Sequence, residues 1–135
     1  MRPVPILPLL LCLAPLGGLG CKASSMTESS LPSHDVSVVP NASTLGNAAF
    51  SPNPFGESLS SRATVIWLNL DKVAAGGGYG GTAKTTHHLV SDTGLFDSGL
   101  LMVGHTFTFT FAASGTYTYH CSIHPAMVGT ITITP

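Results

Sequence analysis

Six consecutive residues late in the chain, Thr106-Phe107-Thr108-Phe109-Thr110-Phe111, alternate a hydroxyl-bearing with an aromatic side chain and never miss a beat. Successive side chains of a strand point to opposite faces, so this period of two sends the phenylalanines one way and the threonines the other. It predicts a half-buried strand. The alternation returns in Thr116-Tyr117-Thr118-Tyr119, running into Cys121, and in Thr130-Ile131-Thr132-Ile133-Thr134, while Val65 and Trp67 mark a further strand around residues 63–69. No long window has helical periodicity. Turn signals at Asn53-Pro54, Ser91-Asp92-Thr93-Gly94, Asp97-Ser98-Gly99 and Ala113-Ser114-Gly115 separate the short strands. Together they predict an all-β chain folded as an antiparallel sandwich or barrel.

The 135 residues suffice for one domain. A net charge of -1 with 8% charged residues supplies no electrostatic footprint for nucleic acid or for an anionic membrane surface. Residues 1–20 run from Arg2 through a short apolar stretch into small residues, the order of a secretory signal. Pro3, Pro5, Pro8 and Pro15 interrupt that stretch, which falls short of the roughly 20 apolar residues of a spanning helix and so argues against a permanent transmembrane segment. Cys21 follows Gly18-Leu19-Gly20 and resembles the lipobox cysteine of bacterial lipoproteins; soluble export after a cut such as that following Ala23 is the other reading. Residues 21–33 are rich in Ser and Thr and read as a tether, so the folded domain is expected over residues 34–135.

Once the signal is removed only Cys21 and Cys121 remain, and a lipidated Cys21 leaves a single thiol in an oxidising compartment. Coordination to a metal both protects and employs such a thiol. Tyr117, Tyr119 and Cys121 share a strand face, so the thiol turns inward with the tyrosines, and His120 turns out. His124 and Met127 follow Cys121 by three and six residues, which lets one loop gather thiolate, imidazole and thioether around one ion. That soft donor set, completed by a second imidazole, suits copper in the trigonal arrangement with a long axial Met. Zinc sites prefer further thiolates or imidazoles to a thioether. The second imidazole has to come from His34, His87, His88, His105 or His120. A nucleophilic Cys-His pair is the enzyme reading, and neither a triad nor an oxyanion motif accompanies it.

Several segments carry a resemblance: Phe50-Ser51-Pro52-Asn53-Pro54, Trp67-Leu68-Asn69-Leu70-Asp71, residues 91–99 (SDTGLFDSG) and residues 115–127 (GTYTYHCSIHPAM). In that order they look like the plastocyanin and amicyanin branch of the cupredoxins, over residues 36–134. The resemblance implies a single-domain Greek-key β-sandwich and one type 1 (blue) copper ion, bound by His87, Cys121 and His124 with Met127 as axial ligand. His87 takes the first place because it stands four residues before Ser91-Asp92 and two before the apolar Leu89; His88 is one out of phase. It further implies single-electron transfer outside the cytoplasm, on the periplasmic or cell-surface side, by a monomer that transforms no substrate. Its partners would be redox proteins, a cytochrome or a copper oxidoreductase, and its membrane contact a lipid on Cys21. An exported copper carrier or store is the alternative.

Two departures from the family pattern stand out. His88 replaces the Asn or Thr that commonly follows the first ligand, which predicts a lost side-chain tie between the ligand loops with only the backbone N–H reaching the thiolate. Fifteen residues separate Asp71 from His87, where family members have a few, and the Gly-rich part of this insertion, residues 73–86, reads as a loop beside the metal. Of the remaining methionines, Met26 is assigned to the tether and Met102 to the core.

Overall fold

The computed structural model describes residues 31–61, 63–72 and 85–135. Eight strands appear in chain order: β1 (Val36–Val38), β2 (Phe50–Ser51), β3 (Phe55–Ser58), β4 (Thr64–Asn69), β5 (Leu89–Ser91), β6 (Thr106–Thr110), β7 (Gly115–Cys121) and β8 (Val128–Thr134). The alternation decides which face of each is buried. In β4 Val65 and Trp67 are fully buried, in β8 Ile131 and Ile133, and in β7 Tyr119 and Cys121. The threonines of β6 are exposed while Phe107 and Phe109 are half-buried. Three short 3₁₀ helices (Ala42–Thr44, Gly46–Ala49 and Leu59–Ser61) are the other named elements.

The strands form two four-stranded sheets, ordered β2-β1-β4-β6 and β3-β8-β7-β5, which make a cupredoxin-like β-sandwich. The expectation of an antiparallel architecture needs correcting, because β1 pairs with β4, and β3 with β8, in parallel. Neither pair is consecutive in the chain. Turn signals and alternation identify hairpin neighbours and buried faces; strands brought together by a crossover leave no local signature.

Between the sheets lies an aromatic core. Trp67 stands 5.5 Å from Phe96, 5.4 Å from Phe107 and 5.7 Å from Tyr119 between ring centroids, and its indole Nε1–H donates to the Tyr119 hydroxyl at 3.1 Å. That bond satisfies the one polar group of the buried indole. Burial pushes the Tyr119 phenol well above its ordinary pKa, so it stays protonated. Opposite Tyr119 in the β7–β8 register is Gly129, where a Cβ would meet the tyrosine ring at 2.2 Å. Met102 is 56% exposed, against its assignment to the core. Its neighbour Leu101 takes the inward position, and the turn that follows, in which the His105 N–H donates to the Met102 carbonyl, faces outward.

Candidate metal centre

Cys121 ends β7 with its side chain fully buried, as the parity of the tyrosines requires. The chain then turns on itself before β8. The His124 N–H donates to the Cys121 carbonyl at 3.2 Å, the Met127 N–H to the His124 carbonyl at 2.9 Å, and the Cys121 N–H to the Met127 carbonyl at 3.0 Å. These three bonds close the loop, leaving its donors little freedom relative to one another. His87 arrives from the neighbouring segment just before β5, held by a bridge to Leu101 in which each residue's N–H donates to the other's carbonyl, at 3.1 and 2.7 Å. Leu89 sits opposite Cys121 in the β5–β7 register. His87, Leu89 and Ser91 turn inward while His88 and Val90 turn out, which is the phase expected for His87.

Three donor atoms converge. Cys121 Sγ lies 3.7 Å from His87 Nδ1 and 3.8 Å from His124 Nδ1, and the two nitrogens are 3.3 Å apart. A point equidistant from all three lies about 2.1 Å from each, the distance at which imidazole nitrogen binds a transition metal. Among the described residues this is the one group of three or more His, Cys, Asp or Glu side chains close enough to share an ion. His87 and Cys121 are buried and His124 is half-buried. Met127, fully buried in the same core cluster, is tied through its backbone to both Cys121 and His124. The donor set fits copper on chemical grounds: a thiol and two imidazoles in a protein-enclosed cage, with a buried methionine at the end of the same loop.

The other face of His87 is occupied by Asp71. His87 Nε2 lies 2.9 Å from Asp71 Oδ2, and both side chains are almost wholly buried. The second carboxylate oxygen accepts the Asn41 N–H at 2.6 Å, from a residue in the left-handed conformation at φ 64. Asn69 braces the same corner: its side-chain amide donates to the carbonyls of Thr85 at 2.7 Å and Leu101 at 2.8 Å, and its amide oxygen accepts the Asp71 N–H at 2.9 Å. Desolvation, only partly opposed by Asp71, lowers the His87 pKa, so the neutral imidazole that a metal requires is the favoured form.

The sequence model of one family, copper binding proteins of the plastocyanin/azurin family, matches residues 33–134. The chain belongs to that family. Among solved structures similar to it is a purple cupredoxin from Nitrosopumilus maritimus, 27% identical over 76% of this chain and 100% of that one, with a TM-score of 0.59. A copper-containing nitrite reductase from Thermus scotoductus is 28% identical at a TM-score of 0.51, covering 64% of this chain but only 20% of the reductase. A mutant fern plastocyanin, 19% identical with a TM-score of 0.50, covers 73% of this chain and 98% of its own, and supports the fold. No curated protein sequence matches.

For a plastocyanin/azurin-family protein the surroundings of the site are specific in one respect. The side-chain tie between the ligand loops, expected to be lost at His88, is present. His88 Nδ1 lies 2.8 Å from Ser122 Oγ and its Nε2 lies 2.5 Å from Asp97 Oδ1, while the His88 N–H donates to Cys121 Sγ at 3.4 Å. The Gly99 amide, then His88, holds the Asp97 carboxyl below the ordinary carboxylate range. His34, bonded to Ser37, His120, bonded to Asp92, and the exposed His105 all lie outside the cluster.

Sequence reasoning brought His87, Cys121, His124 and Met127 to one place but missed Asp71 and Asn69 as supports. Their signal was the Asn-x-Asp triplet after Trp67, noted as a motif without a role. Cys21, the signal, the tether before Leu31 and most of the insertion lie outside the described residues.

Proposed function

We propose that this chain is an extracytoplasmic one-electron carrier with a single type 1 copper ion held by His87, Cys121 and His124 and capped by Met127. The observation that carries the reading is the triangle of donor atoms, 3.3 to 3.8 Å on a side, of which two members are sealed from water. Copper in such a cage supplies a one-electron couple. The chain's own residues do the rest: Cys121 joins the site to β7, the closed 121–127 loop fixes its geometry, and His124, the least buried of the three, offers the path to a partner. A rigid cage changes little between oxidation states, which is what fast electron exchange needs.

Burial also favours this function over the carrying or storage of copper, because handing over an ion requires a partner's ligands to reach it. His87, Cys121 and Met127 are each at 0% exposure. The partners are redox proteins, a cytochrome or a copper oxidoreductase, and the chain acts as a monomer that transforms no substrate itself. Export by residues 1–20 and a lipid on Cys21 place it on the outer side of a membrane; among the described residues no helix is long and apolar enough to cross one. The purple colour in the name of the Nitrosopumilus maritimus relative belongs to that protein, and here the oxidised, copper-loaded protein is expected to be blue, its thiolate-to-copper band absorbing in the orange-red.

Stopped-flow oxidation of the Cu(I) protein by a cytochrome or copper-protein partner, beside a transfer assay with an exported copper acceptor, tests the reading. Rapid oxidation with copper retained is expected. Slow oxidation with rapid loss of copper to the acceptor would replace electron transfer by copper trafficking.

A further inference from the structure

We infer that Asp71 is a positioning residue of the copper site: its carboxylate locks His87 in the Nδ1-binding form and, as a fixed negative charge, favours the oxidised ion and lowers the reduction potential. The inference rests on the copper reading of the triangle and adds to it the group that sets its energetics.

Hydrogen-bond directions make the case. His87 Nδ1 points at Cys121 Sγ and His124 Nδ1, so a metal there requires that nitrogen to be bare and the ring proton to sit on Nε2. Nε2 faces Asp71 Oδ2 at 2.9 Å, and Oδ1 already accepts the Asn41 N–H, so with the ring in this form both oxygens act as acceptors. Were Asp71 instead protonated and donating to Nε2, the ring proton would move to Nδ1, into the metal position. Binding of a metal and the acceptor role of Asp71 are therefore one condition. A ligating imidazole that donates its other N–H to a carboxylate is oriented and made more basic by it.

The charge cannot relax away. Asp71 is at 2% exposure and His87 at 0%, so water does not screen it, and the bonds of Asn69 to the Asp71 amide, the Thr85 carbonyl and the Leu101 carbonyl pin both sides of the contact. A buried anion that stays in place stabilises the more positive of two states at low effective dielectric. The oxidised site is the more positive.

The test is Asp71→Asn, which keeps shape and an acceptor oxygen but removes the charge, with Glu57→Gln on β3 as a control of equal charge change. The Asp71→Asn protein is expected to keep its thiolate-to-copper band while its Cu(II)-over-Cu(I) affinity ratio falls at least tenfold, each tenfold raising a one-electron potential by about 59 mV. Nuclear magnetic resonance of the diamagnetic Cu(I) wild type is the second measurement, and it decides the matter if the variant does not fold. A strongly deshielded, slowly exchanging His87 Nε2–H is expected. A potential for Asp71→Asn no higher than that of Glu57→Gln, or a His87 Nε2–H in rapid exchange with water, overturns the inference while leaving the copper reading intact. Wild-type protein that binds no copper overturns the reading itself.

Discussion

The ring of Tyr119 fills the space that any side chain at Gly129 would need, since a Cβ there would come within 2.2 Å of the ring's Cζ atom. The contact lies across the β7–β8 pair, two residues before Cys121. Gly129→Ala must push Tyr119 off Trp67 and Phe50, an overpacking that costs about 1–3 kcal/mol. In a domain of this size that lowers the melting temperature by about 4–8 °C per kcal/mol. The copper-loaded variant should also have a shifted absorption band, because Tyr119 is on the strand that delivers the thiolate. An unchanged melting temperature in differential scanning calorimetry would refute this account of the packing.

Cys121→Ser should abolish the visible charge-transfer band, whatever metal the remaining ligands still hold. His87→Ala should do the same. Wild type that binds Cu(II) one-to-one yet stays colourless in absorption spectroscopy would mean that Cys121 is not a ligand.

His88→Ala tests the tie on the other side of the ligand strands. The backbone N–H that donates to Cys121 Sγ survives the substitution, whereas the contacts of the imidazole with Ser122 and Asp97 do not. Colour should persist with a changed potential, measured by protein-film voltammetry. Loss of the band here, with its retention in His87→Ala, would invert the ligand assignment.

Metal-free protein should lose stability in acid because of His87. Burial lowers its pKa below the ordinary 6.5, so the unfolded chain takes up the proton first as pH falls. The stability attached to the neutral imidazole is complete above pH 6.5 and declines as pH drops through that value towards the lower folded pKa. Urea melts of the apoprotein between pH 7.5 and 5 read this out, and His87→Asn should flatten the decline. An equally steep fall in the variant would assign it to other groups.

Exchange of residues 74–84 for a short turn should leave colour and nearly all stability intact, since loop closure changes by only about 0.6 kcal/mol per doubling of length. The electron-transfer rate with the natural partner should change several-fold. Equal rates for the two proteins across a range of ionic strengths would leave the segment without a role in docking.

The parts legible in the sequence were those governed by local rules. Strand parity gave the inward turn of Tyr119 and Cys121, alternation marked the strands that carry Trp67 and Ile131, and the spacing of Cys121, His124 and Met127 announced a shared loop. His87 could be separated from His88 because Leu89 and Ser91 fix the phase of the strand. What stayed hidden depends on residues far apart in the chain. The parallel β1–β4 and β3–β8 pairs have no hairpin to report them, and the bond from Asp71 to His87 spans a separation of 16 residues. The role of His88 was misjudged for a different reason: replacing a common residue type looked like losing a contact, while the imidazole reaches Ser122 by its own geometry.

The corner where Asn69 and Asp71 hold Thr85 and His87 is also the base of the insertion. Both ends of that segment are stapled before it leaves, at Asp71 through Asn69 and at Thr85 through the same amide. Forces or changes of length beyond the staple have no lever on the ligands. The position between Lys72 and Thr85 is therefore a grafting port, where a foreign peptide, a dye or a second protein could be spliced in without displacing His87, whatever it does to the approach of a partner.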